Sequence, residues 1–171
     1  MANNKGIKVG DVFTTNYCDS CVVILYNNAV SIDIEFTSTG YKTKVSATSL
    51  RNGTIKDPYK PFISGVGYIG TGSFLPREGG KPTREYGVWY QMLERCYSSS
   101  HKSYSRYGGR GVVVCENWHN FQNFAKWYRS QDNHRDITSQ LDKDIVSPEV
   151  LKYSHETCNL VPRERNNLLT N

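Results

Sequence analysis

No run in this chain approaches the ~20 consecutive apolar residues that a membrane span requires. The opening MANNKGIKVG also lacks the apolar stretch of a secretory signal. A cytoplasmic location is therefore expected, with no membrane partner. The 5 cysteines are an odd number, which argues against a disulfide framework, and in the cytoplasm they are expected to be reduced. A zinc ribbon needs two Cys-x-x-Cys pairs; there is one, Cys18 and Cys21, which reads instead as a strand-edge turn. Cys96, Cys115 and Cys158 stand apart from each other and read as small hydrophobes meeting in one core. Gly65, Gly67, Gly70 and Gly72 are followed by no helix and no Gly-Lys-Ser/Thr, which argues against a phosphate-binding loop. Apolar residues are scarce, at 37% with a mean hydropathy of −0.59, favouring small modules with much surface.

What the chain does have is positive charge and aromatic rings. The net charge is +5, and 12% of residues are aromatic, 12 of them Tyr. Such a surface is compatible with a polyanionic partner. A length of 171 residues suits one compact domain or two small ones.

The patterning changes along the chain. DVFTTNY, CVVILYNN, AVSIDIEF and YKTKVSATSL are rich in Val, Ile, Thr, Tyr and Phe. In the third, Val30, Ile32, Ile34 and Phe36 share one face and Ser31, Asp33 and Glu35 the other, the period of a half-buried strand. Asn27-Asn28, Thr39-Gly40 and Asn52-Gly53 punctuate these runs as turns. The reading is an α+β chain: a small SH3-like β-barrel over residues 1–72, a linker over 73–82 within a Gly/Pro-rich run, and an α+β domain over 83–171. In that domain Thr83 is placed to cap a helix with the stripe Tyr86, Trp89, Leu93 and Cys96. VVVC follows as a short buried strand. Asn117 is placed to cap a second helix with inner face Trp118, Phe121, Phe124, Ala125 and Tyr128, and RSQDNHRDITSQ reads as polar loop. The remainder reads as strand (Leu141–Val146), loop (Ser147–Thr157), strand (Cys158–Val161), and a helix with Pro162 in its first turn.

The segments VWYQMLERCYSSSHKSYSRYGGRGVVVCENWHNFQNFAKWY, LDKDI and YSHETCNLVPRERNNLLT together resemble a widespread group of phage proteins, the HNH-like or homing-type endonucleases. The shared pattern is Trp-x-x-Met-x-x-Arg-Cys, a Tyr-Gly-Gly-Arg-Gly turn, Val-Cys-x-x-Trp, Leu-Asp-Lys/Arg-Asp, and Tyr-Ser-Pro-Glu-Thr-Cys before a terminal Asn. His155 stands here in place of the proline. The likeness covers roughly residues 83–170, and the N-terminal half looks like the small β-module that often precedes this domain.

The resemblance implies a ββα, His-Me finger-like unit holding one divalent ion, Mg²⁺ or Mn²⁺, and no organic cofactor. Asp142 would be a metal ligand, with Asn166 or Asn167 the ligand on the helix; from the residues alone Asp142 reads equally as a surface ion pair with Lys143 or Arg165. Lys143 occupies the position of the histidine base. An unperturbed lysine, near ~10.4, does not accept a proton at neutral pH, whereas imidazole near ~6.5 does. Asp142 and Asp144 flank Lys143 and favour its charged form. Lys143 thus reads as neutralising them or contacting phosphate, and His155, in the loop between the strands, is close enough to swing toward the metal but reads first as a solvent-exposed loop residue. His119 reads as a surface or partly buried residue.

SYSRYGGRGVVV is the candidate contact surface for nucleic acid. Arg106 and Arg110 bracket two glycines beside Tyr107, and Lys81, Arg84 and Arg95 add charge. The same segment is also readable as a tight turn with Arg110 bonded to a carboxylate inside the fold. Three functions stay open at this point: metal-dependent nicking or cleavage of DNA; binding of DNA or RNA by a catalytically degenerate relative; and inhibition of a host protein as a device of host takeover. DNA is the expected partner, and a host protein the alternative.

Overall fold

A computed structural model describes residues 6–143 and 149–163. The chain is mixed α+β and divides into two compact units between Lys60 and Pro61.

In the first unit β1 (Val12–Thr14), β2 (Ser20–Asn28), β3 (Ser31–Phe36) and β4 (Lys42–Val45) form an antiparallel meander in that order. Among the described residues this sheet does not close into a barrel. Ile32, Ile34 and Phe36 are fully buried, as their period of two predicts, and pack with Cys21, Val23 and Leu50. Val30 breaks the pattern and is exposed, because the hairpin turns at Ala29-Val30 while Asn27 and Asn28 stay in β2. The Asn28 Oδ1 accepts from the Val30 amide at 3.0 Å, the local bond that makes asparagine a turn former. SATSL does not prolong β4. Ser46 accepts from the Ser49 amide at 3.1 Å and caps α1 (Ala47–Arg51), which closes the core with Leu50. Cys18 lies exposed in a turn with φ +56°, and Cys21 is buried in β2.

The second unit begins earlier than the sequence suggests. The Gly/Pro-rich run is not a detached connector but part of this unit's core wall. A Cβ on Gly67 would lie 2.4 Å from Leu93 Cδ1, so only glycine lets the segment approach this closely. Tyr68 donates its amide to His119 O and accepts from the Phe121 amide, each at 2.9 Å. The Gln122 side chain bonds both backbone groups of Phe74, at 3.0 and 2.9 Å. A small hairpin, β5 (Arg77–Glu78) and β6 (Lys81–Pro82), leads into α2 (Arg84–Tyr97).

Helix α2 packs on α3 (Phe121–Ser130), with Trp89, Met92, Leu93 and Cys96 meeting Trp118, Phe121, Phe124, Ala125 and Tyr128. Thr83 occupies the cap position of α2, yet its hydroxyl donates to Leu75 O at 3.0 Å rather than bonding the helix. Asn117 lies in a 3₁₀ turn, and the cap of α3 is Asn120, which accepts from the Gln122 amide at 2.9 Å. Glu85 in the first turn of α2 is buried and pairs with Arg129 of α3, whose Nε donates at 2.8 Å.

Three short strand pairs complete the unit. β7 (Val113–Val114) pairs in parallel with β9 (Lys152–Tyr153), which lies inside the stretch read as loop; Val113 is exposed, so β7 is half-buried. β8 (Gln140–Asp142) pairs antiparallel with β10 (Asn159–Val161), placing Leu141 opposite Leu160. Cys96 and Cys158 lie in the core and Cys115 packs against it, the shared surroundings expected of them. No helix among the described residues is long and apolar enough to cross a membrane.

Candidate nucleic-acid interface

One face of α2 is only partly covered. Arg84, Gly87, Val88, Gln91 and Arg95 follow one another at three- and four-residue spacing and form a wall of an open groove of about 780 Å³. Ser139, Gln140, Leu141 and Asp142, at and before β8, form the facing wall, and Tyr107 joins them.

Each cation is held differently. Arg84 donates from Nε to Tyr128 Oη at 2.9 Å and from Nη2 to Ser139 O at 2.6 Å, which ties α2 to the approach to β8. Arg95 lies 4.7 Å from the Tyr107 ring centre and 4.8 Å from that of Tyr153, within cation–π range of both. Its Nε is buried without a hydrogen-bond partner among the described residues. The Tyr-Gly-Gly-Arg-Gly turn supplies Tyr107. A Cβ on Gly108 would fall 2.0 Å from Cys96 O, so the turn seats directly on the last turn of α2 and brings the ring to Arg95.

Below the groove the surroundings are apolar. Burial raises the thiols of Cys96 and Cys158 to about 11 and holds the Tyr153 phenol well above its usual range. Arg95 opposes the shift in all three, which places its charge close to each. Lys143 is only 6% exposed, and its charge also reaches Cys96.

Of the residues singled out from the sequence, Arg84, Arg95, Tyr107 and Asp142 line the same groove. Lys81 is exposed in the hairpin next to Pro82, which also lines it. Arg106 and Arg110 are exposed on the 3₁₀ turns either side of Tyr107, so Arg110 lies at the surface rather than inside the fold. His155 is not among the lining residues: it is exposed, and its Nε2 lies 3.9 Å from Glu156 Oε1. Asn166, Asn167 and Asp144 lie outside the described residues. His119 is half-buried; its Nε2 is 3.3 Å from Tyr97 Oη, and burial lowers its pKa.

Gln91 and Gly87 were discoverable from sequence, since both share the helical face of Arg84 and Arg95. Ser139 and Gln140 carried no such signal, because strand pairing far along the chain brings them there.

A divalent ion finds little in the described part of this site. Asp142 offers one carboxylate, and no group of three His, Cys, Asp or Glu side chains stands together among the described residues. Two guanidiniums line the same groove and oppose a cation there. These residues by themselves do not fit a resident metal. In comparisons with protein-family models, with curated proteins and with solved structures, nothing matches this chain.

Proposed function

We propose that this chain is a nucleic-acid-binding protein of the phage HNH-like type, and that the groove beside α2 is where nucleic acid sits. The observation that carries the reading is the convergence of Arg84, Arg95 and Tyr107 on one open groove, with Arg106, Arg110 and Lys81 exposed nearby. Guanidinium groups pair with phosphate oxygens, and aromatic rings accept bases by stacking. On the same reading the antiparallel pair β8 and β10 is the start of a ββα unit, and the first unit is an SH3-like module assisting contact.

Binding without cleavage is favoured over nicking by one observation: the residue in the place of the catalytic base is the buried Lys143, while His155 is exposed and away from the groove. The test has two arms. Fluorescence anisotropy with labelled DNA and RNA should give an affinity that falls steeply with salt, as phosphate contacts release counterions. Arg95→Ala should weaken it by about tenfold, the equivalent of one lost charge-assisted contact. Salt-independent binding, or none, rejects the proposal. Supercoiled plasmid incubated with Mn²⁺ should stay intact; nicking that disappears in Asp142→Ala would establish the enzyme instead.

A further inference from the structure

Resting on that reading, we infer that the turns between Ser98 and Gly111 are a preordered contact for the sugar-phosphate backbone, in which Lys102 joins Arg106 and Arg110 and no base is read. From Arg95 to Cys115 the chain carries Arg95, Lys102, Arg106 and Arg110 and not one Asp, Glu, Asn or Gln. Lys102, Arg106 and Arg110 are exposed. Among the described residues none of the three enters an ion pair. Other arginines of this unit are engaged by the protein's own groups: Arg77 donates to Gly80 O at 2.7 Å, and Arg129 to Glu85 at 2.8 Å. Ammonium and guanidinium groups donate hydrogen bonds and accept none, which suits phosphate oxygens, acceptors only. Base edges display donors as well, and reading those calls for a carboxylate or an amide. This segment has neither.

A stretch this rich in serine and glycine would ordinarily lose affinity to the entropy of ordering on contact. Here the backbone is already fixed. The amides of His101, Tyr104, Arg106, Tyr107, Arg110 and Gly111 each donate to the carbonyl three residues back, at 2.8 to 3.0 Å. His101 Nδ1 accepts from the Ser103 amide at 3.2 Å, and its Nε2 lies 3.4 Å from Gln91 Oε1, which ties the turns to α2. Gly108 seats against Cys96 O, and a Cβ on Gly109 would stand 3.2 Å from Tyr104 O. The three cations therefore project from a backbone held in place at both ends, and only their side chains are left to order on a phosphate.

Lys102→Gln, Arg106→Gln and Arg110→Gln, singly and together in the full-length chain, test this through the salt dependence of binding. The probes are two labelled DNA duplexes, one A·T-rich and one G·C-rich, and labelled oligothymidine. Each substitution should lower the slope of log affinity against log salt by about 0.9 on the duplexes and about 0.7 on the single strand, and all three together by about three times as much. Affinity should fall by the same factor on both duplexes, as contact with phosphate requires. The melting temperature should stay level, because the side chains are exposed. Lys126, exposed on α3, is the control, and Lys126→Gln should keep the wild-type slope. An unchanged slope in the triple variant overturns the inference while leaving nucleic-acid binding intact. So does an equal drop in Lys126→Gln, which would show net charge at work, and so does a larger loss on the G·C-rich duplex, since arginine reads guanine without help. Arg106 donates to Ser103 Oγ at 3.4 Å, so if Arg106→Gln lowers the melting temperature, the Lys102 and Arg110 variants decide by the same criteria. Wild-type protein that binds none of the probes removes the parent proposal as well.

Discussion

The two units solve the same problem with different materials. The first buries aliphatic side chains from a regular sheet: Val23, Ile32, Ile34 and Leu50, with Phe36 as its only fully buried aromatic ring. Two of its ion pairs, Lys42 with Glu35 at 3.4 Å and Lys44 with Asp33 at 3.8 Å, join exposed lysines to neighbouring-strand carboxylates and contribute little, while a third links Lys60 to the buried Asp19 at 3.8 Å. The second has strands of two or three residues and a core of large rings, Trp89, Trp118, Phe121, Phe124, Tyr128 and Tyr153. Polar groups anchor those rings: the Trp89 indole donates to Trp118 O at 2.6 Å, and Tyr128 Oη accepts from Arg84. The difference shows where a binding surface can be built. A meander satisfies its own backbone by ladder bonds and leaves side chains to alternate. The aromatic unit uses side chains to tie loops together, and some of those same side chains, Arg84 and Tyr107 among them, face the groove.

All three tryptophans, Trp89, Trp118 and Trp127, lie in the second unit, so tryptophan fluorescence reports on that unit alone. The largest effect is expected from Trp89→Ala, which removes a fully buried ring and orphans Trp118 O. A loss of about 3–5 kcal/mol should collapse the fluorescence transition in urea. Next is Ile34→Ala in the first unit, expected to cost about 2–4 kcal/mol. It should lower the sheet's unfolding midpoint by far-ultraviolet circular dichroism and leave the fluorescence midpoint in place; a shift in both would show that the two cores unfold as one. Smaller again is Glu85→Gln, which weakens the tie between α2 and α3. Arg129 is partly exposed and water screens it, so about 1–2 kcal/mol is expected, read by fluorescence in urea.

The smallest effect is that of pH at His119. Burial lowers its pKa in the folded state below the ~6.5 of the unfolded chain. The unfolded state then binds the proton more readily, so stability is fully present above about pH 6.5 and falls as acid is added through the window down to the folded pKa. Urea midpoints of His119→Gln should show a shallower slope across that window than those of the wild type.

Much of this architecture was legible because its causes are local. The alternation in β3 and the stripes of both helices follow from which face meets water, and most residues the periods select are buried, although Val30 is exposed, Tyr86 is half-buried and Met92 is buried outside the predicted stripe. Capping was harder to read. Asn117 and Asn120 are equally good caps, and the choice fell to Asn120 because the Tyr68 segment bonds His119 and Phe121 on either side of it. The Gly/Pro run has no period of its own, so its incorporation could be recognised only from its partners, Leu93 and Gln122.

Sequence alone set the longer strands and both long helices, the basic and aromatic character, and the α2 half of the groove, since helical spacing is a property of neighbours in the chain. Tertiary structure decided where the units divide, that Tyr107 meets Arg95, and that Gln140 and Asp142 face α2. Those outcomes depend on contacts between residues far apart in the chain, whose energies no local pattern encodes.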